Sequence, residues 1–425
     1  MYMRPALKVG LRPLWRDKGT LQLGIDPRRA RALHADLGKA LGVVSLLDGS
    51  RDTHEVARTA EAYGISRRDV DRVIGLLATA GLLDDFPTDL RAALPDYLRG
   101  RIGPEMACAA LAYGHADGGA AVLARRRAAY AQVHGAGRVG ASVATFLAAS
   151  GVGWVSCVDN GTAEAADVTP AGIGVDGVGA GRAVGVARAV HRVAPEVHTA
   201  HDARRQPDLV VLTGWPDPLL AAALTRERIP HLLVRADEGI GVVGPLVLPG
   251  RSACVRCVNL SKADRDPAWP RILAQASAGQ PPAAAQACDT VLAAATAALA
   301  TAQALMLLDR AGGPAAANAT LELVLPDWQW QRRAWPLHPA CTCGAALLLG
   351  PHDVSAALFF PENVGAALFF PEDVSAAFFG AEDIGAAFFL AENVRAALFL
   401  AEGVEVFRMV GHAARLLDPR LTPFP

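Results

Sequence analysis

The chain has 425 residues, a mass of 44.3 kDa and a formal net charge of -1; that length exceeds one ordinary core and favours two or three domains. Acidic and basic residues balance in the first ninety residues as in the whole, so no segment supplies the basic face that nucleic-acid binding requires. No charged start leads into an apolar run with a small-residue cleavage site, and no apolar stretch reads as long as the roughly 18 residues of a membrane span. The expectation is a cytoplasmic protein that binds neither nucleic acid nor membrane.

From Leu14 the chain first reads as extended, with Leu21 and Leu23 alternating before Gly24, and then turns helical. Ser66-Arg67-Arg68-Asp69 has capping-box form, and Val70, Val73, Ile74 and Leu77 recur at helical spacing until Gly81 can end the helix. Two shorter helical segments before it, around Asp48-Gly49-Ser50 and from His54 to Tyr63, give the helix-turn-helix rhythm of a winged-helix-like α+β domain over residues 1–90. An oligomerising or spacer domain has the same pattern. The stretches LWRDKGTLQLGIDP, LLDGSRDTHEVA and LLATAGLLDD resemble the PqqD-like domains that bind leader peptides of ribosomally made, modified peptides. That resemblance implies a peptide added as an extra strand beside the early sheet. Residues 91–125, punctuated by Pro95 and Pro104, read as a linker plus a helix leaning on the next domain.

Gly135-Ala136-Gly137-Arg138-Val139-Gly140 satisfies GxGxxG, a weak pattern alone, but its surroundings fit. A strand candidate, Ala131 to His134, precedes it, and Val139, Val143, Phe146 and Leu147 follow at the spacing of a buried helical stripe. Glycines let the backbone approach phosphate, and the helix start offers unpaired N–H groups to an anion. A second strand, Trp154 to Val158, leads to Asp159, an acid about 20 residues beyond the fingerprint, where a ribose hydroxyl contact needs one.

GAGRVG, GVGWVSCVDNG, PDLVVL, GVVGPLVLPGRSACVRC and HPACTCG together, in this order, resemble the ThiF/MoeB/HesA family, relatives of the ubiquitin-activating enzymes. The resemblance covers residues 126–349 and implies a Rossmann-like domain that binds ATP with magnesium and adenylates the C-terminal carboxylate of a small protein or peptide. It assigns the nucleotide to Gly135, Gly137, Gly140 and Asp159, and it implies a homodimer, the common state of the relatives. The sequence departs from the family in two places. Where an Asn-Leu-x-Arg-Gln run is usual, Asp167-Val168-Thr169-Pro170 stands, and no lysine occurs between Lys39 and Lys262. Arg182 occupies about the place of the usual lysine, although a guanidinium does not simply replace a compact ammonium. Asp217 lies near the usual magnesium-binding acid. Arg182 and Asp217 are therefore the candidate catalytic residues.

Of seven cysteines, four form two tight pairs, Cys254/Cys257 and Cys341/Cys343, and four such thiolates satisfy structural tetrahedral zinc. The family has CxxC twice, so the second pair here is one residue short, and His338 is close enough to replace one sulfur. Cys288, at the start of a long Ala/Leu helix, reads as a small buried side chain, with a reactive thiol as the alternative. From His352 the sequence repeats every ten residues over residues 350–425. Ten residues fall about 80° short of three helical turns, so an apolar stripe would drift around one continuous helix. Expansion of a short repeat with little function is the preferred reading of this tail.

The expected architecture is thus α/β: a ThiF-type domain with a zinc knot, preceded by the small winged-helix-like domain and followed by a repetitive tail. The expected function is an ATP-dependent adenylyltransferase for a peptide or small-protein carboxylate. The alternative is a catalytically degenerate scaffold that binds a leader peptide for a partner cyclodehydratase. An NAD-dependent oxidoreductase would share the glycine loop but leave the four cysteines unexplained.

Overall fold

The computed structural model describes residues 4–17, 19–34, 37–85, 95–215, 217–278 and 286–344. The decapeptide repeats therefore lie outside the described residues.

The N-terminal part is built on two small sheets and three helices. β1 (Pro5–Leu7) pairs antiparallel with β5 (Leu83–Asp85), and β2 (Pro13–Asp17), β3 (Thr20–Leu23) and β4 (Arg31–His34) form an antiparallel sheet in that order. Leu21 and Leu23 alternate inward as their spacing requires and are fully buried against α1 (Leu37–Leu46) and its neighbours. α2 (Thr53–Glu61) starts on a reciprocal capping box between Asp52 and Glu55. α3 (Arg67–Thr79) is capped by Ser66, buries Val70, Val73 and Leu77 and gives way at Gly81, as its sequence requires.

This part is locked to the next through charge buried with partners. The Lys8 ammonium, 3% exposed, meets Asp84 at 2.5 Å and donates to the Ala110 and His115 carbonyls at the end of α4 (Asp96–Tyr113). Proline at 104 does not end α4. Its ring would crowd the carbonyl four residues back, which belongs to Gly100, where a side chain would meet nothing within 4 Å, and Leu98 and Ile102 bury the helix against Leu123. Between α4 and the first strand of the large sheet the structure adds α5 (Ala120–Ala128).

That sheet holds the rest of the described chain together. Its strands are β6 (Tyr130–His134), β7 (Trp154–Val158), β8 (Leu209–Thr213), β9 (His231–Asp237), β10 (Ile240–Val247), β11 (Ala319–Val324) and β12 (Gln329–Ala334). Their spatial order is β12-β11-β10-β9-β8-β6-β7, with β7, β6, β8 and β9 mutually parallel and the remainder antiparallel. The chain leaves β6 to one side for β7 and returns on the other for β8. Such a reversal opens a crevice at the strands' C-terminal ends. One face is covered by α6 (Arg138–Ala149), α7 (Arg182–Val193) and α11 (Thr290–Leu308), the other by α8 (Pro218–Arg226) and α9 (Val255–Arg265).

α11 corrects one reading of the sequence. Its 19 residues have a mean hydropathy of 1.9 over an 18-residue window, enough by length and composition to cross a membrane. Half of that window is buried within the fold, where Ala293, Ala297, Ala300 and Ala304 let the helix approach α6 and the sheet. Gln303, also buried, accepts a hydrogen bond from the Ala316 amide. Length and composition here describe the central helix of a core.

α11 also carries the second buried charge pair. Arg126 is 7% exposed and grips Asp309 through Nε at 2.8 Å and Nη2 at 2.7 Å, and Tyr113 donates to the same carboxylate at 3.0 Å. α4, α5 and α11 meet there. Asp309→Ala would leave the buried guanidinium with only the partly exposed Glu105, 3.3 Å from its Nη1, and a loss of about 3 kcal/mol is expected. A lowered urea midpoint for the sheet domain, with zinc content unchanged, is the expected result.

Candidate active site

The crevice at the reversal is a cleft of about 360 Å³, lined by residues of the glycine loop and by Asp159, Asp167, Arg182 and Arg235. A larger groove of about 790 Å³ lies between α8, α9 and α10 (Trp269–Ser277) beside the cysteines, but its wall is mainly apolar. Polar groups converge in the smaller cleft, which is the better candidate for chemistry.

The loop is held by backbone geometry that only glycine permits. Gly135 has φ +90°, and a Cβ on Gly140 would lie 1.9 Å from the Gly135 carbonyl oxygen. Thr213, at the end of β8, donates its hydroxyl to the His134 and Gly135 carbonyls at 2.9 and 3.2 Å. Gly137 is the N-cap residue of α6 and makes no side-chain cap, so the helix's first amides face the cleft. Asp159 ties the loop to its own turn, accepting from the Ala136 amide through Oδ2 and from the Gly161 amide through Oδ1, each at 2.7 Å. Each of its oxygens keeps a lone pair.

Arg182 lies at the start of α7 and lines the cleft, but its Nε donates to Asp167 Oδ2 at 2.8 Å. Burial works against its charge, yet the Asp167 bond and the nearby acids Asp159 and Glu164 outweigh burial and hold its pKa up. Asp167 is fully buried, and its Oδ1 has no hydrogen-bond partner. Asp217 is not brought to the cleft. It is the N-cap of α8, and its carboxylate accepts from the Leu219 amide at 2.8 Å.

Three lining residues were not singled out as site candidates in the sequence. Arg138, in the first turn of α6, donates to the Ala166 carbonyl and the Thr290 hydroxyl, both neutral acceptors. Its own place inside GxGxxG was the signal for it. Arg235 on β9 lies over the ring of Trp215, with Cζ 4.1 Å from the centroid. Nothing local in the sequence marks either of these two, because their meeting depends on β8 and β9 lying side by side. Cys288 also lines the cleft; it is buried, and burial pushes its thiol up to about 11, which works against the thiolate form.

The four cysteines come together although 84 residues separate Cys257 from Cys341. Cys254 is the N-cap of α9, Cys257 lies in its first turn, and Cys341 and Cys343 follow β12. Their sulfurs lie 3.8 Å apart for Cys254/Cys257, 3.6 Å for Cys254/Cys341 and 3.8 Å for Cys257/Cys343. Four sulfurs about 2.3 Å from one zinc ion stand about 3.8 Å apart at tetrahedral corners, so the cluster fits. The hydrogen bond between Cys254 and Cys257 pulls the Cys257 thiol down and pushes Cys254 up, which expresses how poorly such a cluster carries its charge without a cation. His338 is engaged elsewhere, its Nε2 2.8 Å from Asp264 and its Nδ1 accepting from the Ala340 amide. One zinc per chain is expected by elemental analysis of the purified protein, and essentially none in Cys257→Ser, with an early unfolding step appearing in the variant. Zinc retained at full stoichiometry in that variant would exclude the cluster as the site.

Comparison with known proteins agrees with this geometry. A model of the ThiF family matches residues 113–212, a span that includes the glycine loop, Asp159 and Arg182. No curated protein matches the chain. Among solved structures, Escherichia coli MccB with AMPCPP and MccA superposes with a TM-score of 0.60 at 16% identity, over 81% of this chain and 100% of that one. E. coli MccB with ATP gives 0.58 at 16% identity, over 80% and 99%. PaaA gives 0.59 at 17% identity, over 77% and 98%. At these identities the likeness is one of fold. By sequence and by fold, the nucleotide-loop part of this chain is a ThiF family domain.

Proposed function

We propose that the cleft binds ATP with magnesium and that the protein activates the carboxylate of a peptide or small protein as an acyl adenylate. A carboxylate oxygen attacks the α-phosphorus, the bond from that phosphorus to the α–β bridging oxygen breaks, and pyrophosphate leaves with the electron pair. The observation that carries this reading is the Gly135–Gly140 loop, which turns the uncapped amides of α6 toward a cleft that also holds Asp159. In this reading those amides hold phosphate oxygens, and the spare lone pairs of Asp159 take a ribose hydroxyl. Arg182 orders the phosphate wall through Asp167. Magnesium would supply further neutralisation of phosphate charge, and Asp167, whose buried Oδ1 has no partner, is a cleft carboxylate with capacity to meet it.

MccB supports both halves of the proposal. It has been solved with ATP and, under the description of a Microcin C7 biosynthetic enzyme, in complex with N-formylated MccA. We assign delivery of the peptide to the N-terminal part, where β2 and β4 are the edges of their sheet and can accept an added strand. A structural zinc in the cysteine cluster and a homodimer complete this reading.

A second reading is a scaffold that holds a leader peptide for a cyclodehydratase and has lost catalysis. The Arg182–Asp167 ion pair favours it, because the arginine in the lysine's place already has a carboxylate partner.

Calorimetric titration of ATP with magnesium, and separately of NAD, into the wild-type protein and Asp159→Ala decides between these. ATP binding that is lost in the variant, followed by peptide-dependent exchange of pyrophosphate into ATP, is the expected result. Binding of neither nucleotide would sink the adenylation reading and leave the scaffold.

A further inference from the structure

The cleft holds three arginines, and they are not equivalent. Arg182 is ion-paired to Asp167 at 2.8 Å. Arg138 spends its fork on a carbonyl and a hydroxyl within the fold. The side chain of Arg235 has no hydrogen-bond or ion-pair partner among the described residues, although it is half-buried and lines the cleft.

Around Arg235 lie aromatic rings and a second cation, with the acids Asp237, Glu238 and Glu322 acting at longer range. Trp215, beneath its guanidinium, lies 6.2 Å from Trp269, and the ammonium of Lys262 stands 4.4 Å over Trp269 and 5.6 Å over Trp335. Lys262 likewise has no hydrogen-bond or ion-pair partner for its ammonium among the described residues. Burial, and after it the charge of Arg235, hold Lys262 down to about 8, and burial pushes Arg235 down too. Two cations are thus kept on an indole floor beside a cleft; the carboxylates of Asp237, Glu238 and Glu322 act on Arg235, and Glu322 on Lys262, through space, but none of them is in ion-pair contact with either cation. Partly buried charge is costly without a partner in contact, and a ligand anion entering the cleft would give the Arg235 guanidinium the hydrogen-bonded partner that those carboxylates do not supply.

We propose that Arg235, stacked on Trp215 and backed by Lys262, is the cation that holds the polyphosphate of a nucleoside triphosphate in this cleft, in place of Arg182. The inference rests on the nucleotide reading given above. A guanidinium is a planar, always charged fork; this one has its Cζ 4.1 Å from the Trp215 ring centroid and no hydrogen-bond partner among the described residues, which suits bidentate contact with phosphate oxygens. Lys262 adds field strength from behind. The pair would make the site selective for a triphosphate over the monophosphate or the nucleoside, because AMP and adenosine lack the β- and γ-phosphates.

The test is calorimetric affinity for ATP, AMP and adenosine in wild type, Arg235→Gln, Arg235→Lys and Lys262→Gln, each with zinc content and circular dichroism as controls of fold. Loss of a charge-assisted contact is expected to weaken ATP about tenfold or more in Arg235→Gln while AMP changes less than about twofold. Arg235→Lys should recover part of the loss, and Lys262→Gln should shift ATP in the same direction by less. ATP and AMP falling together in Arg235→Gln, or neither changing, overturns the proposal. So does unchanged ATP affinity with lost discrimination between a peptide carboxylate and its amide, which would make Arg235 a carboxylate contact. A wild-type protein that binds none of the three nucleotides overturns the nucleotide reading itself, and this inference with it.

Discussion

A Cβ on Gly140 would lie 1.9 Å from the Gly135 carbonyl oxygen and 3.2 Å from the Thr213 hydroxyl, so the first turn of α6 can sit where it does only because that position has no side chain. This close approach fixes the direction in which α6 leaves β6 and hence where its uncapped amides point. The neighbouring pieces are set against the same turn. Thr213 reaches it from β8, and Asp159 reaches it from the end of β7, each through hydrogen bonds to loop backbone. Three parallel strands are therefore registered at one point, and the cleft is the space left above them. An anion arriving there would meet dipoles already oriented, with little reorganisation required.

The parts of this site that were legible in the sequence are those set by local rules. The glycine loop, the strand Trp154–Val158, the stripe Val139, Val143 and Leu147, and the Ser66 cap are all written in spacings shorter than two helical turns. The cysteine pairs were legible for a different reason: soft ligands in close pairs have few structural uses besides metal, so two distant pairs imply one another. His338 was a reasonable substitute ligand by proximity in sequence, and Asp264, 74 residues away, is what engages it instead.

What the sequence did not disclose depends on which strands become neighbours. Asp217 was placed near the usual magnesium-binding acid by the family resemblance, but Asp-Pro at that point is also a strong helix start, and the local rule prevailed: the carboxylate caps α8. Arg182 lines the cleft, and its ion pair with Asp167 could not be foreseen, because it needs the 3-10 turn Ala165–Asp167 to fold under the start of α7. Pro104 was read as a break because proline usually is one. The burial of Leu98 and Ile102 against Leu123 favours keeping the helix whole through it. α11 has the composition of a membrane span because a central helix packed on both α6 and the sheet needs small apolar residues nearly all round.

The composition of the chain bears on how such a cleft can keep its charge. Lysine is scarce, four residues in the whole sequence, and one of them, Lys262, lies beside the site under enough burial to hold its pKa at about 8. An ammonium at the position of Arg235 would meet the same burial, which works against its charge. A guanidinium starts several units higher and keeps its charge through the same desolvation. The family's lysine is absent here, and simple replacement by Arg182 would give a cation whose charge Asp167 already offsets. Positive charge in this cleft is instead distributed over guanidinium groups, Arg138 at the helix start and Arg235 on its indole. The missing lysine therefore does not by itself make the cleft electrostatically inert, since the field that an anion would meet comes from strand β9 and helix α6 together.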